Sequence, residues 1–399
     1  MVTMTQTIPL TIAIAGAGIG GLAAASLLAD QGHQVTLFDQ FDTPRSVGSG
    51  LVIQPVGRRV LDAVGAGVTA RALGHKIQRM LGRETRSGRR VLDVSYGSSY
   101  GLAIHRAALF HSLMEAVQTR TVTLMPAHKT TGRDGPHLTF ASGARSGPFD
   151  LIIDASGANS TLSPIKTRAL PYGAIWTTVD WPDTSLPTSE LSQRYRRANR
   201  MIGVMPIGTL PGQTTPKAAL FWSLPRGGYA DWQNGGLAQW RSEALSLWPD
   251  LAPFMDQITA PEQMVMARYT HGTLRKPFGD GIVHIGDAAH RASPQLGQGA
   301  NMALLDAWAL AQAIRYFPLD TALPAYARAR RAHVFAYQAM SAAFTPQYQS
   351  DSRILPFVRD RILFPLSILP PAKQLLTALV KGSILPPLGY LTPPEQAGQ

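Results

Sequence analysis

The sequence predicts an α/β fold: a Rossmann-type domain, an inserted sheet-rich domain and a C-terminal helical region. Three features predict it. The chain opens on a strand–helix–strand pattern. Residues 170–269 read as strands set between proline- and glycine-rich turns. A buried strand then returns at 282–286 and is followed by a long helix.

Each element has a local reason. Residues 11–15 are a short apolar run ending at glycines, which predicts a buried strand. Residues 21–29 are rich in alanine and leucine and predict a helix. Residues 34–39 carry β-branched side chains and predict a second strand. Helices are expected at 58–63 and 107–117, and strands at 122–125, 138–141 and 151–154. In the inserted region, strands are expected at 174–179, 201–205 and 218–223, with one helix at 237–247. A helix at 300–315 follows the returning strand. From Leu323 the chain reads as helical and arginine-rich, then proline-punctuated. The expected division is a discontinuous first domain at 1–165 and 277–345, a substrate-binding insertion at 166–276 and an extension at 346–399.

Composition narrows the function classes. The 399 residues are 45% hydrophobic and 16% charged, enough chain for two cores. No cysteine is present, so disulfides, thiolate metal sites and cysteine nucleophiles are excluded. A cytoplasmic location fits that usage. The net charge is +12, carried mostly by arginine. Codon bias toward arginine explains such a charge; so does attraction of anionic cofactors, substrates or an acidic membrane face. No basic run is interleaved with aromatics, so nucleic acid is not an expected partner. The N-terminus has no basic signal-peptide region. No stretch reaches the roughly 18 apolar residues of a membrane span. The nearest, 362–380, is broken by Pro365, Pro370, Pro371 and Lys373.

Gly16-Ala17-Gly18-Ile19-Gly20-Gly21 places glycines at G-x-G-x-x-G spacing between a strand and a helix. Gly16 permits the tight turn, Gly18 lets backbone approach a pyrophosphate, and Gly21 lets helix pack on sheet. The helix N-terminus offers free N–H groups to phosphates. Asp39, with Gln40 beside it, ends the second strand where a carboxylate can accept from an adenosine ribose. This pattern alone leaves FAD and NAD both open.

Gly286-Asp287-Ala288-Ala289-His290 follows a buried strand, with Pro294, then Gly297-Gln298-Gly299-Ala300-Asn301 and Asp306 beyond it. Asp287 at the strand end can accept from ribityl hydroxyls. The Gly297–Gly299 turn opens a helix whose N–H groups can face the flavin pyrimidine edge. This stretch resembles the second FAD signature of the group A FAD-dependent monooxygenases, the p-hydroxybenzoate hydroxylase-like and ubiquinone-hydroxylase-like aromatic hydroxylases. The resemblance runs from the first strand to about residue 314. It implies FAD, reduction by NADH or NADPH, and hydroxylation of an aromatic or quinone-like molecule by dioxygen through a flavin hydroperoxide. It places Arg106 near the FAD phosphates and ribityl chain, and Arg45 near the flavin and the nicotinamide cofactor. The cofactor set is then Gly16, Gly18, Ile19, Gly21, Asp39, Gln40, Arg45, Arg106, Asp287, Pro294, Gly297, Gln298, Gly299, Ala300 and Asn301.

One segment departs from the family. Where its members carry Asp-Gly followed by Asn-Ser and an arginine, this chain reads Asp154-Ala155-Ser156-Gly157-Ala158-Asn159-Ser160, with serine again at Ser163. That leaves open how NAD(P)H binds. It also admits other flavoprotein reactions: a Baeyer–Villiger or epoxidising oxygenase, a reductase or a redox-neutral cyclase. A non-catalytic FAD-binding protein is a further alternative.

Other signals carry less. Gly97-Ser98-Ser99-Tyr100-Gly101 matches a nucleophile elbow, but the residues after it read as extended rather than helical. His284 and His290 are too dispersed for a metal site, and no metal is expected. Trp176, Trp222 and Pro294 are candidates to line a substrate pocket, although tryptophan in a sheet is more often core. No side-chain acid or base is identifiable. Arg353, Arg359 and Arg361 precede the apolar, proline-broken tail. Its expected role is to cover the FAD domain or the cleft; peripheral membrane contact is the alternative. A monomer or homodimer is expected, acting on a small molecule and dioxygen.

Overall fold

The computed structural model describes residues 8–42, 49–389 and 391. The opening unit is β1 (Thr11–Ala15), α1 (Ile19–Ala29) and β2 (Gln34–Phe38). It continues through β3 (Gly50–Ile53), α2 (Pro55–Ala63), α3 (Gly67–Leu73), β4 (His75–Ile77), β5 (Arg79–Glu84), β6 (Arg90–Ser95) and β7 (Gly101–His105). Next come α4 (Arg106–Gln118), β8 (Val122–Met125), β9 (Thr130–Asp134), β10 (His137–Phe140) and β11 (Leu151–Asp154). The middle of the chain forms β12 (Arg168–Asp180), β13 (Glu190–Arg196), β14 (Arg200–Pro206), β15 (Lys217–Pro225), α5 (Tyr229–Leu247, broken at Gly236), α6 (Ala252–Met255) and β16 (Val265–Thr273). The last part is β17 (Phe278–Gly279), β18 (Ile282–His284), β19 (His290–Arg291), α7 (Gly299–Tyr316), α8 (Leu319–Tyr348), α9 (Ile354–Val358), α10 (Phe364–Ser367) and α11 (Ala372–Lys381). A π-helical turn, Arg359–Leu363, joins α9 to α10.

Two sheets form the layers. The first has the order β17-β18-β11-β1-β2-β8 and is parallel except at its β17 edge. Its central strands β1 and β11 are buried on both faces, which is why they read as unbroken apolar runs rather than alternating ones. Alanine-rich α1 packs beside α7 in the same core as Ile12, Ile14 and Ile153.

The second sheet has the order β19-β16-β12-β15-β14-β13-β5-β6. Strand alternation gives it two unlike faces. Ile175, Ile202, Leu220 and Trp222 lie in one core with Trp240 of α5 and Phe254 of α6. Trp176, Phe221 and Tyr195 point the other way, where Phe344 and Tyr348 of α8 join them. The β5–β6 hairpin comes from the stretch that sequence texture placed in the first domain. It lies in this second sheet because β5 pairs in parallel with β13.

A small sheet, β3-β7-β4, ties the layers together. Val52, Ile77 and Ala103 share a cluster with Met205, Ile207 and Ala219 of the larger sheet. No single helix among the described residues is long and apolar enough to cross a membrane.

Candidate active site

The site begins where β1 ends. Gly16 turns the chain at φ +107°, and a Cβ there would lie 2.7 Å from the Ala155 carbonyl oxygen. A Cβ on Gly21 would lie 2.0 Å from the Gly16 oxygen, so helix and strand approach as the motif requires. Gly18 is different. Nothing lies within 4 Å of its Cβ position, and as N-cap of α1 it supplies no side-chain cap. The first N–H groups of α1 therefore face open space of the kind a pyrophosphate fills. Ile19 begins that helix, half-buried. Asp39, just beyond β2, accepts from the Ala17 N–H at 2.8 Å and the Phe41 N–H at 3.0 Å. It sets the glycine loop as well as presenting acceptor oxygens. Gln40 is exposed next to it. Arg45 lies outside the described residues.

The second loop leaves β18. Gly286 adopts φ +59°, and its N–H donates to Asp306 at 2.9 Å. The next residue, Asp287, is exposed, and among the described residues its side chain has no hydrogen-bond partner. It is held at the mouth of the site by Asp306, which is fully buried and also accepts from His290 Nε2 at 2.6 Å and Arg330 Nε at 2.7 Å. Burial opposes ionisation of Asp306, but the His290 and Arg330 partners outweigh it and hold the carboxyl down to about 2. Arg330 in turn meets Nδ1 of His333, whose Nε2–H donates to the Gly382 carbonyl at 3.0 Å. Burial and the Arg330 charge keep His333 neutral, with its pKa lowered to about 3.

The same loop ends at Pro294, Gly297 at φ +60°, then Gln298 and Gly299 at the start of α7. Its position between the layers is fixed by the Ser293 N–H, which donates to His271 Nε2 of β16 at 2.9 Å. Nothing lies within 4 Å of the Gly299 Cβ position, and Pro294 is exposed and Ala300 half-buried. Buried polar atoms without partners among the described residues gather here: both amide ends of Gln54, Gln295 Nε2 and Gln298 Oε1. Unsatisfied amides around a glycine turn fit a polar ring system such as the flavin pyrimidine edge.

Asn301 and Gln298 are set differently from expectation. Asn301 is fully buried; its Oδ1 accepts from the Gln54 N–H at 2.7 Å, and its Nδ2 donates to Val52 and Gly297 carbonyls. It braces the loop against β3 and has no free face for a ligand. Gln298 donates to the Val380 carbonyl at 3.1 Å, so one end of its amide is spent on α11.

The departure at Asp154–Ser163 has a structural reason. Asp154 is fully buried and accepts from Ser156 Oγ at 2.5 Å, Ser160 Oγ at 2.7 Å and His284 Nδ1 at 2.8 Å. Burial works against the charge, but these donors lower its pKa. Ser163 Oγ donates to the Ala288 carbonyl at 2.5 Å and ties this segment to the Asp287 turn. His284 is a satisfied core histidine.

Above the loops stands the aromatic face of the second sheet. Trp176 packs on Phe221 with ring centroids 4.6 Å apart, and its Nε1 donates to Tyr269 Oη at 2.9 Å. Burial pushes the Tyr269 phenol up to about 12, against the opposing effects of Trp176 and of the Arg106 charge. Arg106, exposed at the start of α4, lies near enough to this face for its charge to act on the Tyr269 phenol. Trp222 lies on the opposite face, 2% exposed in the core beneath α5, and cannot line a pocket there. The glycine motifs gave no signal for Gln54, Gln295 or Tyr269, which the tertiary fold brings to the site from separate segments.

Comparison with known proteins agrees with this geometry. Residues 14–46 match the model of the NAD(P)-binding Rossmann-like domain, and residues 251–340 that of the FAD binding domain. The chain is 27% identical over 327 residues to the 3-amino-4-hydroxybenzoate 2-monooxygenase of Streptomyces cremeus, covering 74% of this chain and 76% of that one. It is 25% identical over 393 residues to the 6-methylpretetramide 4-monooxygenase of Streptomyces rimosus, covering 93% and 92%. The fold superposes on Klebsiella pneumoniae HpxO complexed with FAD and uric acid at TM-score 0.80, with 19% identity, covering 94% and 97%. Two glycine-rich loops on one parallel sheet, beneath an aromatic sheet face, agree with these likenesses: the chain is an FAD-dependent monooxygenase, similar to the aromatic hydroxylases.

Proposed function

We propose that the protein hydroxylates an aromatic or quinone-like small molecule held between the flavin loop and the Trp176 face, with NADH or NADPH as reductant. One observation carries this reading: the Pro294–Gly299 loop, with its unsatisfied amides, lies between the FAD cradle and the aromatic side of the larger sheet. The relatives support it, since their names describe monooxygenases acting on 3-amino-4-hydroxybenzoate and on 6-methylpretetramide. When bound, FAD supplies the redox chemistry, passing reducing equivalents from NAD(P)H to dioxygen so that one oxygen atom enters the substrate and the other leaves as water.

The chain's residues do the positioning. The α1 N-terminus and Gly18 receive the pyrophosphate, Asp39 the ribose, and Asp287 the ribityl hydroxyls. Arg106 adds positive charge beside phosphates and an anionic substrate. The Gln298 and Gly299 N–H groups would face the flavin ring beside the unpartnered Gln54 amide, the Gly297 N–H being spent on the Pro294 carbonyl. Trp176 and Phe221 offer a flat apolar wall to an aromatic ring. Tyr269, neutral at physiological pH, offers its hydroxyl as hydrogen-bond donor to an oxygen substituent. α8 and α11 close the rear of the cleft and keep water from it. We assign 1–165 with 277–345 to FAD binding, 166–276 with the β5–β6 hairpin to substrate binding, and 346–399 to covering the cleft. A cytoplasmic protein fits the same reading.

The test is a screen of phenols, aromatic acids and quinone precursors with purified, FAD-loaded protein. The expected result is NAD(P)H oxidation stimulated by one compound class, matched by oxygen uptake and by a product one oxygen atom heavier. Oxidation that no aromatic compound stimulates, or turnover without oxygen uptake, overturns it.

A further inference from the structure

The C-terminal helices have their apolar side turned outward. Ile354, Phe357, Ile362, Leu366, Leu369 and Leu375 are each between 48% and 72% exposed. Isolated exposed apolar residues need no explanation, but a concentration within one segment does. The first four are spaced three, five and four apart. A five-residue step leaves one face of an α-helix, but the Arg359–Leu363 turn is π-helical and takes up the extra residue. The π-turn therefore keeps Ile362 in line with Phe357 and preserves one apolar ridge.

The inner side of the same segment is firmly docked. Leu379 and Val380 are buried, Tyr337 Oη donates to the Leu379 carbonyl at 2.7 Å, and the guanidinium of buried Arg359 donates to the Gln347 carbonyl at 2.7 Å. The ridge is thus presented by a fixed scaffold.

Charge selects the occupant. Between residues 353 and 383 the basic residues are Arg353, Arg359, Arg361, Lys373 and Lys381, and the single acid, Asp360, is paired with Arg359. Lys373, Thr377 and Lys381 share one side of α11 and line, with Gln374 and Ser383, a shallow groove of about 540 Å³. A second copy of this chain would bring the same basic rim and a net charge of +12, so like charges oppose self-docking. An anionic bilayer satisfies both features. The two helical arms are bent by 98°, which suits a segment lying in the interface rather than crossing it.

We propose that the outer face of α9–α11 docks peripherally on an anionic lipid bilayer, with acyl chains receiving the apolar ridge and lipid phosphates the lysine groove. Docked this way, the segment that backs the flavin loop through Gln298 also faces the membrane.

The test is co-sedimentation of full-length, FAD-loaded protein with phosphatidylcholine vesicles, with and without phosphatidylglycerol, at low and physiological salt. Pelleting is expected with the anionic vesicles only, weakening as salt rises. Lys373→Gln/Lys381→Gln should lower partitioning about 30-fold, from roughly 1 kcal/mol per basic group near the surface. Phe357→Ser/Leu366→Ser should lower it at least about tenfold. Both variants should keep FAD and wild-type substrate-stimulated turnover. Equal pelleting with both vesicles, or none with either, overturns the proposal. So does a dimer in sedimentation equilibrium that Phe357→Ser dissociates, since the ridge would then belong to a second copy. Turnover measured alongside separates failure here from failure of the hydroxylase reading.

Discussion

Gly18 and Gly21 lie three residues apart in one motif, and the structure gives them opposite predictions. A side chain at Gly18 meets nothing within 4 Å, whereas a Cβ at Gly21 sits 2.0 Å from the Gly16 carbonyl oxygen. Gly16 has little room to yield, since even a Cβ added there would lie 2.7 Å from the Ala155 carbonyl oxygen. Gly21→Ala therefore forces α1 away from β1, an overpacking that costs about 1–3 kcal/mol of stability before any cofactor is added. Gly18→Val changes an exposed N-cap and costs the apo-protein about 1 kcal/mol or less. Its effect falls on FAD. The isopropyl group occupies the space over the helix N-terminus and removes about two charge-assisted N–H···phosphate bonds of roughly 1.5–3 kcal/mol each. That amounts to about two to four decades of affinity. Urea unfolding of the apo-proteins by tryptophan fluorescence reads the first quantity, and quenching of FAD fluorescence on titration reads the second. Wild-type FAD affinity in Gly18→Val, or a wild-type unfolding curve in Gly21→Ala, would refute the assignment of space around this loop.

Asp287→Ala should lose one charge-assisted bond to the cofactor, about 1.5–3 kcal/mol, or one to two decades of FAD affinity by calorimetry, with apo stability unchanged. Asp306→Asn should instead destabilise the apo-protein by about 3–5 kcal/mol in urea, since it leaves Arg330 buried without its carboxylate; a change below about 1 kcal/mol would count against the network. Acid should weaken the fold through the same cluster. The Asp306 pKa is depressed from 3.8 to about 2, so its stabilising contribution is complete above pH 4 and is lost as pH falls toward 2. The His333 pKa is lowered from 6.5 to about 3, so protonation of the unfolded chain begins to disfavour folding below pH 6.5. Urea midpoints measured from pH 7 down to pH 3 should therefore fall continuously; a plateau would contradict both. Removing residues after Ser350 strips the partners of Gln298, Tyr337 and His333 and should lower both the melting temperature and FAD retention; a truncated protein that keeps both would show that the tail does not cover the site.

The core strands and helices of the parallel sheet, β1, α1, β2, α4, β8, β11, β18 and α7, and the two glycine loops were legible in the amino-acid sequence, whereas the small sheet β3-β7-β4 was not. Those signals are local: a glycine needed at a turn, an apolar run buried on both faces, an acid at a strand end. The sequence pointed to Gly16, Gly18, Gly21, Asp39 and Asp287, and the structure sets them on the segments that leave β1, β2 and β18, because each position follows from a local turn or strand end. Roles that depend on partners distant in the chain were decided only by the tertiary structure. Asn301 belongs to the second signature, yet its amide is consumed by Gln54 and Val52, residues some 250 positions earlier. Trp176 and Trp222 looked alike in the sequence, and strand register and the packing of α5 sent one toward the cleft and the other into the core. The β5–β6 hairpin crossed from its expected domain because pairing with β13 is non-local. Asp154, Asp306 and Arg330 became buried hubs for the same reason. A carboxylate or guanidinium can be buried only where several segments converge to satisfy it, and no run of neighbouring residues encodes that convergence.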